Sequence, residues 1–247
     1  MNIENENLNN LIKEVYDKEE FIYIDEEINK EHGLMNESPA RLAENKIFIL
    51  KTLSNEEKME AIAHEVGHVL LMNRKLIGVS IYHSYQHNFF AAMLNNLISH
   101  KELIEVLKNE FNIGSIMHLK LQKEALLNKS IENRIHNASS EEELYGIGFQ
   151  LYDICRTTGE IYNAEIEKLI NSNECVNKSF KASKMYLNDI NSSMDEEEQI
   201  KRVIYMFKEL SMLELITSFD CVDVYMKENV IDLVKQKVGE LFRENKI

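Results

Sequence analysis

A chain of 247 residues with one proline (Pro39) and eight glycines has few places to turn sharply. Proline and glycine are the strongest punctuation of local structure, and their scarcity favours long helices over a meander of short strands. The apolar periodicity agrees for most of the chain. Helices are expected over about 7–19, over Ser54 to about Asn73, and from about Ser84 to Phe111 with His100 as a candidate break. Others follow over about 115–136, 140–157, 159–171, 176–191, 195–218 and 221–244. Ser54 with Glu57, and Ser140 with Glu143, have the spacing of capping boxes. "FIYI" (21–24) and "KIFIL" (46–50) read as short strands, residues 31–41 as loop, 74–83 as a connection, and "NIG" (112–114) as a turn. The expected class is α+β, mostly α. A zincin-like part with a small sheet occupies about 1–125, and a helical part about 126–247.

One stretch carries chemistry. In "AIAHEVGHVLL" (61–71) two histidines stand four apart, with a glutamate after the first. Four residues turn a helix by about 400°, so His64 and His68 share a face, one turn apart. Two imidazoles so placed can bind one Zn²⁺. Glu65 sits about 100° further round, poorly placed as a ligand but close enough to reach a water at the metal. This is the H-E-x-x-H arrangement of zinc metallopeptidases, with Glu65 as general base. The flanking apolar residues predict a buried helix, in which two histidines and a glutamate need partners.

Composition limits the rest. Hydrophobic residues make up 44% and charged residues 28%, and the net charge is −14. Without a basic patch to displace counterions, direct nucleic-acid binding is not expected. The acidity is even: 13 basic against 20 acidic residues in 1–125, and 15 against 22 in 126–247, or −7 each. No apolar run approaches a membrane span, the polar N-terminus is unlike a signal peptide, and three scattered cysteines suit reduced thiols. The expectation is a cytoplasmic protein with no membrane partner. The eleven methionines read as adaptable packing.

"KIFIL", then "AIAHEVGHVLL", then "SYQHNFFAAML" starting sixteen residues after His68, resemble the ImmA/IrrE-like zinc metallopeptidases, relatives of the gluzincins. The resemblance covers roughly residues 20–100, and H-E-x-x-H is its specific part. It implies a zinc-dependent peptidase acting on a protein or peptide substrate, typically a regulator. In that family the second helix resembles E-x-x-A-N/D-x-F-A, its glutamate being the third ligand. Asn88, Phe90 and Ala91 match the later positions, and the glutamate position falls on Ser84. His87, three residues on, is the first choice for the third ligand, with His83, His100, Glu102 and Glu105 as alternatives. Asn88 is a candidate for orienting a ligand imidazole, and Tyr82 and Tyr85 for stabilising an oxyanion. Two other readings stay open. One is a degenerate zincin that binds metal as a sensor or interaction module. The other is a helical interaction protein of a mobile element.

Overall fold

A computed structural model of the chain describes residues 5–16, 22–26, 39–43, 46–81, 87–159 and 163–220. These are mostly helical, with two small sheets, as the low proline and glycine content requires. The chain divides into two compact units, Met1–Leu71 with Glu102–Glu124, and Met72–Lys101 with Ala125–Ile247. Of the expected loop over 31–41, residues 31–38 lie outside the described residues and Ala40 and Arg41 belong to a strand instead; the expected helix over 221–244 also lies outside the described residues. Among those described, no helix is long and apolar enough to cross a membrane.

In the first unit, α1 (Glu6–Val15) starts at Asn5, whose side chain accepts the Leu8 N–H at 3.0 Å. Leu8 and Leu11, three apart, are its buried face. A three-stranded sheet has the order β1 (Ile22–Glu26), β3 (Lys46–Leu50), β2 (Ala40–Ala43). β1 runs parallel to β3, and β2 antiparallel to it. The central β3 is the continuous apolar run "KIFIL", with Ile47 to Leu50 all buried. Pro39 stands just before the edge strand β2. There its missing N–H costs no ladder bond, while its carbonyl accepts from Leu50 N–H at 2.9 Å.

A short turn leads from β3 into α2 (Asn55–Asn73). The expected capping box is formed: Glu57 N–H donates to Ser54 Oγ at 3.3 Å, and Ser54 N–H donates to Glu57 Oε2 at 2.9 Å. The Ser54 N–H and the Ser54 hydroxyl, both against the Glu57 carboxyl, hold it below its ordinary pKa. Later on α2, Gly67 permits a close approach. A Cβ there would overlap Leu103 Cδ1 and sit 3.5 Å from Leu107 Cδ2, both on α3 (His87–Phe111). α3 is unbroken at His100. α4 (Ile116–Leu127) follows the turn at 112–114.

The second unit is built on α5 (Ser130–Asn137), α6 (Glu141–Thr158), α7 (Asn163–Asn171), α8 (Glu174–Tyr186) and α9 (Glu196–Leu210). The helix expected over 115–136 is two helices, because Lys129 takes a left-handed conformation (φ 55°) and ends the first. Ser140 caps α6 as expected, accepting from Glu143 N–H at 3.3 Å, but the Glu143 carboxylate returns to Ser139 N–H at 2.9 Å. Ile147, Leu151, Ile154 and Val176 pack together between α6 and α8.

Further expectations need correcting, and the helix expected over 176–191 ends at Tyr186. Residues 74–83 contain a strand, β4 (Gly78–Ile81), and the helix expected to reach 218 stops at Leu210. Ser211 turns left-handed (φ 59°), and Met212 N–H closes the helix end on Phe207 O at 2.9 Å. A 3₁₀ turn then leads into β5 (Ile216–Asp220), antiparallel to β4. The partner strand lies more than 130 residues away in sequence, so local periodicity carries no sign of it. Asn95 covers β4, its amide accepting from Val79 N–H at 2.8 Å and donating to Val79 O at 3.0 Å. The fully buried Gln199 accepts from Ile77 N–H and donates to the carbonyls of Lys75 and Met194.

Among the described glycines, Gly148 has the tightest surroundings. A Cβ there would overlap Ser179 Oγ and come within 2.6 Å of Val176 O and 3.1 Å of Phe180 N. Backbone atoms cannot rotate aside. Gly148→Ala gains about 1 kcal/mol of helix propensity. It should lose more to overpacking, about 1–3 kcal/mol, and so come out less stable than wild type. Urea denaturation checks this; a variant as stable as wild type would show that α8 can shift away.

Candidate metal site

Glu60, His64 and His68 recur at four-residue intervals on α2, so they form one polar stripe on a helix that is largely apolar from Ala61 to Leu71. Ala61, Ile62, Ala63, Val66, Leu70 and Leu71 are buried, as the sequence predicts, and so is Gly67, whereas Val69 is half-buried. His64, Glu65 and His68 are half-buried.

The two imidazoles converge. His64 Nε2 and His68 Nε2 are 3.1 Å apart, with ring centroids 4.8 Å apart and planes at 81°. Two nitrogens bound to one zinc at about 2.0–2.1 Å, with an angle near tetrahedral, lie about 3.1–3.4 Å apart. The pair therefore fits a single metal ion. Imidazole nitrogen also suits zinc chemically, being a borderline-soft donor.

Glu65 is held from the sheet side. Its Oε2 accepts the Leu42 N–H at 3.0 Å. Leu42 lies on the edge strand β2, where alternate N–H groups point away from β3. The bond fixes the carboxylate next to the first histidine, so its direction does not depend on α2 alone.

Glu60 organises the other end of the stripe. It is 9% exposed, and its Oε1 accepts the His118 N–H at 3.0 Å. The N–H groups of Ile116 and Met117 also face its carboxylate. These are the unsatisfied donors of the first turn of α4, so Glu60 caps that helix from outside. Burial nevertheless wins and pushes the Glu60 carboxyl above its ordinary pKa. The anchored helix lays the His118 ring on His64, centroids 5.0 Å apart and planes at 26°. Sequence reasoning missed both Glu60 and His118. Neither has a spacing signal, because α2 and α4 meet only in the folded unit.

In the second unit His100 and Asp153 form a buried pair, Nδ1 to Oδ2 2.7 Å, each side chain 6% exposed. Of the other expected ligands on α3, Glu105 is exposed and Glu102 half-buried. Tyr82, His83, Ser84 and Tyr85, and the side chains of His87 and Asn88, lie outside the described residues.

Comparison with protein-family models, curated proteins and solved structures gives no match.

Two outcomes follow for Glu60. Glu60→Ala uncaps α4 and should cost about 1–2 kcal/mol in urea denaturation. The pH dependence has a definite sign. A carboxyl raised in the fold favours folding most below its unfolded value, near 4.5, and loses that contribution as pH rises through its folded value. Glu60→Gln should therefore gain on wild type as pH rises from about 4 to 7. A constant difference across that range would mean that the Glu60 carboxyl is not raised.

Proposed function

We propose that the protein is a zinc-dependent peptidase of zincin type, acting in the cytoplasm on a protein or peptide substrate. His64 and His68 would hold the metal, together with one further protein donor. The observation that carries the reading is the convergence of His64 Nε2 and His68 Nε2 at 3.1 Å, on a helix whose Glu65 is secured by a strand edge.

Zinc, when bound, supplies Lewis acidity: it lowers the pKa of a water to about 7 and polarises a scissile carbonyl. The rest falls to the chain. Glu65 takes a proton from the attacking water and passes it to the departing amine. Its Oε2 accepts from Leu42 N–H, and this bond fixes the direction of the carboxylate.

The purified protein should carry about one zinc, and His64→Ala or His68→Ala should remove most of it, since two or fewer protein ligands hold zinc poorly. Glu65→Gln should keep the metal and lose about 10²–10⁴ in rate. Lysate proteins exposed to wild type or Glu65→Gln, then compared by mass spectrometry, give the readout without a known substrate. Equal cleavage by both would remove Glu65 from the mechanism. No cleavage by zinc-loaded wild type would favour a metal-binding module, the alternative to which Ser84 at the family's glutamate position points.

A further inference from the structure

The first turn of α4 belongs to the same compact unit as α2, and Glu60 receives it. Glu60 Oε1 accepts the His118 N–H at 3.0 Å, and the N–H groups of Ile116 and Met117 face the same carboxylate. His64 stands one turn further along α2, about 6 Å on. The His118 ring lies on it, centroids 5.0 Å apart and planes at 26°. We infer that His118 is a positioning residue for the candidate metal site: tethered by Glu60, its ring fixes the plane of the His64 imidazole and hence the aim of His64 Nε2. This rests on the zinc reading of His64 and His68.

The first argument is the freedom that an imidazole has to lose. Its χ1 sits in a staggered well, but χ2 is broad and roughly two-fold. Rotation about Cβ–Cγ leaves the ring centroid nearly in place and swings Nε2 off its line. The setting that serves a metal is the one that brings His64 Nε2 to 3.1 Å from His68 Nε2. A flat ring lying nearly parallel to His64 blocks the intermediate settings, because turning one ring drives its edge into the face of the other. The centroid separation is that of an attractive offset pair. A ring already held in this way binds a metal without the further cost of immobilising it.

The second argument is the kind of cap that Glu60 provides. A helix start is ordinarily capped by a serine, threonine, asparagine or aspartate just before it. Such a cap satisfies the N–H groups without tying the helix to a neighbour. At α4 a carboxylate from another helix meets three of them, although it is 9% exposed and burial opposes its charge. That arrangement costs desolvation which a local cap does not. What it adds is a fixed place for the first turn of α4 against α2. Glu60 and His64 are four residues apart, so the tether and the ring it serves share one face.

The test is the zinc affinity of the full-length protein, measured by competition with a chromophoric chelator, which needs no substrate. His118→Ala removes the ring and should weaken zinc binding roughly 3–10-fold, the cost of ordering one side chain. His118→Phe keeps a flat ring but has no donor nitrogen. It should bind zinc within about twofold of wild type and, loaded with Co²⁺, show the visible absorption of wild type. His118→Leu fills the space without a flat ring and should weaken binding as His118→Ala does, which covers the case in which the alanine variant does not fold. Glu60→Ala should weaken binding by a similar factor alone and add nothing in the His118→Ala background, because the two residues act through one contact. A loss in His118→Phe equal to that in His118→Ala would overturn the proposal, since His118 would then act through its nitrogens. Unchanged affinity in His118→Ala, or fully additive losses with Glu60→Ala, would overturn it too. Each of these leaves the zinc reading standing, whereas wild type that binds no zinc would overturn both.

Discussion

The site depends on how α2 meets two opposing demands. Most of its surface is apolar and buried, yet it carries Glu60, His64 and His68 in one stripe with Glu65 beside them. Burying polar groups without partners costs several kcal/mol, so each needs an arranged neighbour. Glu60 has the first turn of α4, Glu65 has the Leu42 N–H of β2, and the two imidazoles have each other. Two other elements, α4 and β2, thus fix Glu60 and Glu65, and the two imidazoles of the same helix converge on each other. That is the arrangement expected of a site, where rigid neighbours set the aim of each group.

Much of this was legible in the sequence because it is local. The capping box of Ser54 and Glu57 sets where α2 begins, and counting from there places His64 and His68 on one face. "KIFIL" reads as a buried central strand because both its faces are apolar, and β3 is that strand. Both α6 and α9 begin where a serine or an acid run indicates a cap.

What the sequence hides is tertiary. β4 and β5 recognise each other across more than 130 residues, and "ITSFD" alone resembles the end of an amphipathic helix. Its Thr217 and buried Phe219 were the available strand signal, but too short a one to outweigh the periodicity of α9. Glu60 looks like an ordinary acid at the start of a helix until α4 is seen to end on it. His100 looks like a helix break or a surface histidine until Asp153, 53 residues later, is found against it. In each case the missing information is a partner, not a property of the residue itself.

A 3.1 Å approach of two imidazole nitrogens has two physical causes, a shared metal ion or an N–H···N hydrogen bond. Crystals of zinc-incubated protein, mapped by anomalous scattering on the two sides of the zinc edge, separate them most directly. The account predicts one peak about 2.0–2.1 Å from both His64 Nε2 and His68 Nε2. No peak there, with the two nitrogens still in contact, would contradict it and leave a hydrogen-bonded pair in place of a metal site.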